Sequence, residues 1–201
     1  MRSDSSKAID ATVRLLARDE AFAGFQRRGR WLIKAVGDVF HCAWLQSSLW
    51  NTPTEADFAL NLHVVWPPWE ELWSGGAFTG AQYADPVASA RLGFLAYGRD
   101  HWWRVGAQVE AAGAAQSISQ AFRSHGLPFF APFGSSEQLL AALDAGGALP
   151  VAFHRRLLHA ALLARAGRYE EAAAFVRAER EAQPSWERVG AFAERLGLDA
   201  A

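Results

Sequence analysis

Near the start of the chain, Ile9, Val13, Leu16 and Ala17 recur at spacings of three and four residues behind Ser5 and Ser6, two side chains suited to capping a helix. The spacing predicts a helix from about residue 5 to residue 22, closed by Gly24-Phe25. The period then drops to two. Trp31, Ile33 and Ala35 alternate with Leu32 and Lys34, and residues 39–47 and 56–66 are rich in aromatic and β-branched side chains. Gly37-Asp38 and the stretch 49–54, with Asn51 and Pro53, are the links. Three strands with short links predict an antiparallel meander. Placing His41 opposite His63 in this meander gives one apolar face, with Phe40, Cys42, Trp44 and Gln46 against Phe58, Leu60, Leu62 and Val64. The second face, with Val39, His41, Ala43 and Leu45 against Ala59, Asn61, His63 and Val65, is then mixed, and a slip of one residue would destroy this partition.

Regular periodicity lapses over residues 67–89, where Pro67-Pro68, Gly75-Gly76, Gly80 and Pro86 predict a long loop with a short helix at 69–73. Strands are expected at 91–97 and 101–105, a helix at 109–122 and an extended apolar segment at 127–130. Ser135 and Gln138 form a capping-box pattern that opens a helix ending at Gly146-Gly147. Beyond Pro150 three Ala-rich helices follow, at 153–166, 169–182 and 186–196. The run from Ala164 to Ala172 resembles the turn of a tetratricopeptide repeat, but a single unit does not stack into a repeat array, so the tail is expected to be a hairpin-like helical appendage. The expected class is α+β: an antiparallel meander packed with helices over residues 1–148, then a helical tail over 149–201.

Composition narrows the functional classes. The 201 residues carry a formal net charge of −1, which speaks against a generally basic nucleic-acid binder, so no nucleic-acid partner is expected. A single cysteine, Cys42, excludes a disulfide framework and a Cys-rich zinc site. Residues 8–17 are interrupted by Asp10 and Arg14, unlike the apolar core of a signal peptide, and the weakly charged stretch 58–68 is too short to span a bilayer. The expected setting is the cytoplasm, with no membrane partner.

An ordered set of short motifs runs through the first two thirds of the chain. These are Gly24-Phe25, Arg27-Arg28-Gly29-Arg30, a strand ending in Gln46-Ser47-Ser48, then Trp50, Phe58 to Leu62 with Asn61, Trp102-Trp103, and Gly126-Leu127-Pro128 before Phe129-Phe130. Over residues 24–143 the chain resembles a bacterial family catalogued as domain of unknown function 4304. That resemblance implies an α+β domain and carries no activity with it.

Candidate chemistry falls in four groups. His41 and His63, as cross-strand neighbours, would share a metal ion or a proton, but a catalytic zinc needs a third ligand and Cys42 points to the other face. Arg27, Arg28 and Arg30, with Lys34, offer guanidinium forks to an anion or to a partner's carboxylates. Gln46, Trp50 and Asn61 gather near the end of the hairpin, beside Ser47 and Ser48, which lack a nucleophile elbow. Trp66, Trp69 and Trp73 surround Pro67-Pro68 and would line a groove, whereas Trp31 and Trp44 are expected in the core. No complete catalytic or metal constellation is visible, and no cofactor is implied. The first reading is a non-enzymatic binding domain for a protein or small-molecule ligand, using the Trp-rich loop and the basic turn. An enzyme or metal-binding protein centred on His41 and His63 is the alternative, and homo-oligomerisation stays open.

Overall fold

In a computed structural model the structure describes residues 3–106, 108–146 and 154–198. The 148/149 boundary expected between domain and tail lies outside them. The chain divides into two compact units. Unit 1 comprises 1–36, 40–64 and 89–131, and unit 2 comprises 37–39, 65–88 and 132–201.

Unit 1 opens with α1 (Asp4–Leu16), whose N-cap Ser3 accepts a hydrogen bond from the Ser6 N–H. A single 3-10 turn, Glu20–Phe22, replaces the last part of the long helix expected there, because the Asp19 carboxylate accepts from the Ala21 N–H and starts a new turn. The meander follows as β1 (Gln26–Arg28), β2 (Trp31–Val36), β3 (Val39–Ser47) and β4 (Ala56–Val65). The sheet is antiparallel and six-stranded in the order β1-β2-β3-β4-β5, and β6 also pairs with β4. Beyond β4 come α2 (Pro67–Ser74), β5 (Ala88–Arg91), α3 (Leu92–Tyr97) and β6 (Trp103–Val105), and then α4 (Ala111–Ala121) and α5 (Leu127–Phe130).

Two sequence expectations change here. Residues 92–97 are a helix and not a strand, since a short continuous apolar run carries no period that separates the two. Residues 127–130 are helical and not extended. The chain leaves α4 through a wide turn at Phe122–Gly126, so Pro128 falls in the first turn of α5, where its missing N–H costs nothing.

The register of β3 against β4 is one residue away from that expected. Asn61 Nδ2 donates to Gln46 Oε1 at 2.7 Å, and the Trp44 ring lies 6.4 Å from that of His63. Gln46 and Trp44 therefore share a face with Asn61 and His63. By strand alternation, His41, Ala43 and Leu45 share the other face with Phe58, Leu60 and Leu62. That second face is the closed core: Ala43, Leu45, Phe58, Leu60 and Leu62 are wholly buried. His41 stacks on Phe130 at 4.4 Å, beside a cluster of Phe22, Phe25 and Phe122. The inward sides of α1 and α4 add Ile9, Val13, Leu16 and Ile118. Each such side chain contributes about 1.5–3 kcal/mol over its exposed state.

Unit 2 holds α2 together with α6 (Ser136–Asp144), α7 (Arg155–Arg165), α8 (Tyr169–Ala182) and α9 (Glu187–Arg195). Ser135 caps α6 as its motif predicts, accepting from the Gln138 N–H, and α7 packs against α8 in a C-terminal helical region. Asp38 accepts hydrogen bonds from both the Ser136 N–H and its hydroxyl. Burial alone would raise that carboxyl, but these bonds outweigh it and hold the Asp38 pKa low. Among the described residues no helix is long and apolar enough to cross a membrane.

Candidate functional site

The other face of the unit 1 sheet carries a strip of half-buried aromatic and polar side chains. At one end Trp31 stacks on Trp44 with centroids 5.2 Å apart, and His63 lies 5.8 Å from Trp31. A hydrogen bond joins the His63 ring Nδ1 to the Ser89 hydroxyl. Burial pushes the His63 pKa down to about 4, so the ring is neutral near pH 7. Two residues along each strand, alternation brings Asn61 and Arg91 onto the same face.

Arg91 is the centre of the second half of the strip. Its Nε donates to Asn61 Oδ1 at 3.2 Å and its Nη2 to Gln46 Oε1 at 3.1 Å. Its Nη1 donates to both carboxylate oxygens of Asp100, at 2.7 and 2.8 Å. Trp102 Nε1 donates to the same carboxylate at 3.0 Å, and the guanidinium lies 5.1 Å from the Trp102 ring. The bond from Arg91 holds the Asp100 carboxyl below its usual range. Arg91 directly precedes α3 and Asp100 follows its end, so this bridge ties both ends of the helix to the sheet. Gly93 completes the seat: a Cβ there would fall 2.8 Å from the backbone nitrogen of His101. The outer side of α3 is left apolar and uncovered, with Phe94 55% exposed, Tyr97 46% and Leu95 36%.

The residues singled out in the sequence sort clearly against this geometry. Gln46, Asn61 and His63 belong to the strip, and Arg28 joins it as the cross-strand partner of Trp31. Arg27 sits opposite Leu32 and so turns to the other face. Arg30 donates to Asp10, Ser6 and Ser47, within a cleft of ≈ 380 Å³ rich in serine. The basic turn is therefore no single anion site: alternation separates Arg27 from Arg28, and Arg30 is engaged internally. Trp50 is 89% exposed at the hairpin tip. Trp66, Trp69 and Trp73 are buried in unit 2, where Trp69 stacks on Trp73 at 5.6 Å, so the Trp-rich segment is mainly core, with Trp66 alone of the three reaching the wall of a cleft. Trp31 and Trp44, expected in the core, are half-buried on the strip.

The pairing of His41 with His63 fails for the same reason as the register. The two rings occupy opposite faces of one sheet, so no shared metal or proton joins them. Among the described residues no group of three His, Cys, Asp or Glu side chains is placed to hold a metal ion. Arg91 and Asp100 were missed because the amide partners of Arg91 lie 30 and 45 residues away and Asp100 lies across α3, and no local pattern marks them. The one legible hint was Gln46 and Asn61, two amides in strands, each needing a partner.

This clamped helix on a meander defines an α+β domain. A family profile described as Domain of unknown function (DUF4304) matches residues 22–132, more than half the chain, and the chain belongs to that family. The matched span contains the whole strip and α3. No curated protein and no solved structure matches the chain.

Proposed function

We propose that this is a non-enzymatic interaction domain that docks a partner protein on α3. The observation that carries the reading is the exposure of Phe94, Leu95 and Tyr97 on a helix pinned at both ends by the Arg91–Asp100 bridge. Adjacent exposed aromatic and aliphatic side chains are what interfaces bury first, and a fixed backbone lowers the ordering cost of docking. Arg99, exposed immediately beyond the helix, adds a cation that favours an acidic rim on the partner. We take the setting to be the cytoplasm, where the buried thiol of Cys42, its pKa pushed up to about 12 by burial, stays unreactive.

The enzyme reading has less behind it. The Ser89–His63 contact resembles a nucleophile and base, but a ring with a pKa of about 4 is a weak proton acceptor at neutral pH.

A photo-crosslinking amino acid placed at position 94 of the full chain tests the proposal in the native cell. A discrete covalent adduct with one protein is expected from position 94 and not from position 50, which is more exposed but distant from α3 in the sequence. A Tyr97→Ser change should remove the adduct. Equal labelling from both positions, or none from 94, would refute the reading.

A further inference from the structure

Unit 2 contains a cleft of ≈ 850 Å³ that has nothing to do with α3. Its lining includes the apolar residues Trp66, Leu72, Ala161 and Leu196, of which Leu72 and Leu196 are partly exposed, together with Arg165, Arg195 and Tyr169. The volume lies within the range of small-molecule sites, about 300–1,000 Å³.

The two arginines distinguish this cleft. Arg195 is built in: its Nη1 donates to the Leu72 carbonyl at 2.7 Å and reaches the Trp73 carbonyl at 3.4 Å, at the end of α2. The guanidinium lies flat over Gly75, where a Cβ would fall 2.5 Å from Nη2 and 2.7 Å from Cζ. Gly75 also has φ +74°, so glycine is required twice over: for the turn and for the seat of this cation. Arg165, at the end of α7, is exposed. Among the described residues neither arginine has a carboxylate within salt-bridge distance, although Arg30, Arg91, Arg104, Arg123, Arg156 and Arg168 all do. Glu71 also lines the cleft, and its Oε1 is turned to the Phe78 N–H at 3.5 Å. Two cations and one anion leave the charged lining net positive beside the apolar residues.

We propose that this cleft binds a small organic anion, a single carboxylate or phosphate carried on an apolar body. The head is held between the guanidinium of Arg165 and the free edge of Arg195, with the Tyr169 phenol as a further donor. The body lies on Leu72 and Leu196. Arginine suits this task because its planar fork matches carboxylate and phosphate oxygens.

Titration of the full chain with 2-naphthoate and 2-naphthyl phosphate, followed by calorimetry, tests the site and separates the two heads. At least one anion should bind saturably, while neutral 2-naphthamide should bind about tenfold more weakly. Arg165→Ala should weaken the anion by about tenfold with the thermal transition unmoved, since among the described residues Arg165 has no hydrogen bond or ion pair to lose. Arg195→Gln should do the same, but it also removes the tie to α2, so Arg165→Ala decides. Absence of saturable binding by both anions, equal binding of the amide, or unchanged affinity in Arg165→Ala would each overturn the proposal.

Discussion

The two faces of the unit 1 sheet are built from alternate residues of the same strands, yet they are held by different physics. On one face, His41 is a ring packed on Phe130 above Leu45, Phe58 and Leu60, and the cohesion is apolar burial. On the other, His63 sits between Trp31, Trp44 and Ser89, and two residues along β4 the cohesion becomes a network around Arg91. The first face loses most from a cavity. The second loses most from an orphaned polar group, because its donors and acceptors were chosen for one another. Two histidines that look equivalent in the sequence thus have unrelated roles.

The comparison breaks most sharply on the core face. Leu60→Ala should lower unfolding stability by about 3–5 kcal/mol, the cost of a cavity in a site walled by sheet and helices. Chemical denaturation with an unchanged slope would show it, and a loss under about 1 kcal/mol would mean that this face is not the closed one.

His63 sharpens the contrast through pH. Its folded pKa, about 4, lies below the unfolded value of about 6.5. Between these values the unfolded chain binds a proton that the native chain does not, so stability is fully present above about pH 6.5 and falls as pH drops toward 4. The loss amounts to roughly 3 kcal/mol over that window. His63→Gln should flatten the profile there, and a difference between the two chains that is constant with pH would remove His63 from the buried side of the strip.

Arg91→Met probes the network directly. It leaves Asp100, Asn61 and Gln46 without their shared donor, at a cost of about 2 kcal/mol, moderated because the bridge to Asp100 is partly open to water. Amide exchange in α3 should accelerate more than in α4, since the bridge fastens only the former. Equal acceleration throughout would mean that the clamp is merely one more core contact. The smallest effect belongs to the exposed side of α3: Phe94→Ser should change stability by no more than about 0.5 kcal/mol while removing partner binding.

Much of the fold was legible because periodicity reports burial directly. The meander, the capped helix at Ser135 and the C-terminal helices all follow from spacing, cap chemistry and turn residues. The site was legible only in fragments. Gln46 and Asn61 announced a polar interior by their composition, but Arg91 looked like the start of a strand and Asp100 like a turn residue. The three arginines of the basic turn form a cluster in the sequence but not in space. The paired strand sends Arg27 and Arg28 to opposite sides.

The sequence by itself determined the α+β class, the strand order of the meander and the family. It did so because alternation, caps and turns act over a few residues. Only the tertiary structure decided which alternate residues face the core, since one slip in register exchanges the two faces without altering any local pattern. The same holds for the clamp on α3 and for the paired arginines of unit 2: their geometry is set by residues far apart in the chain, which local rules do not bring together.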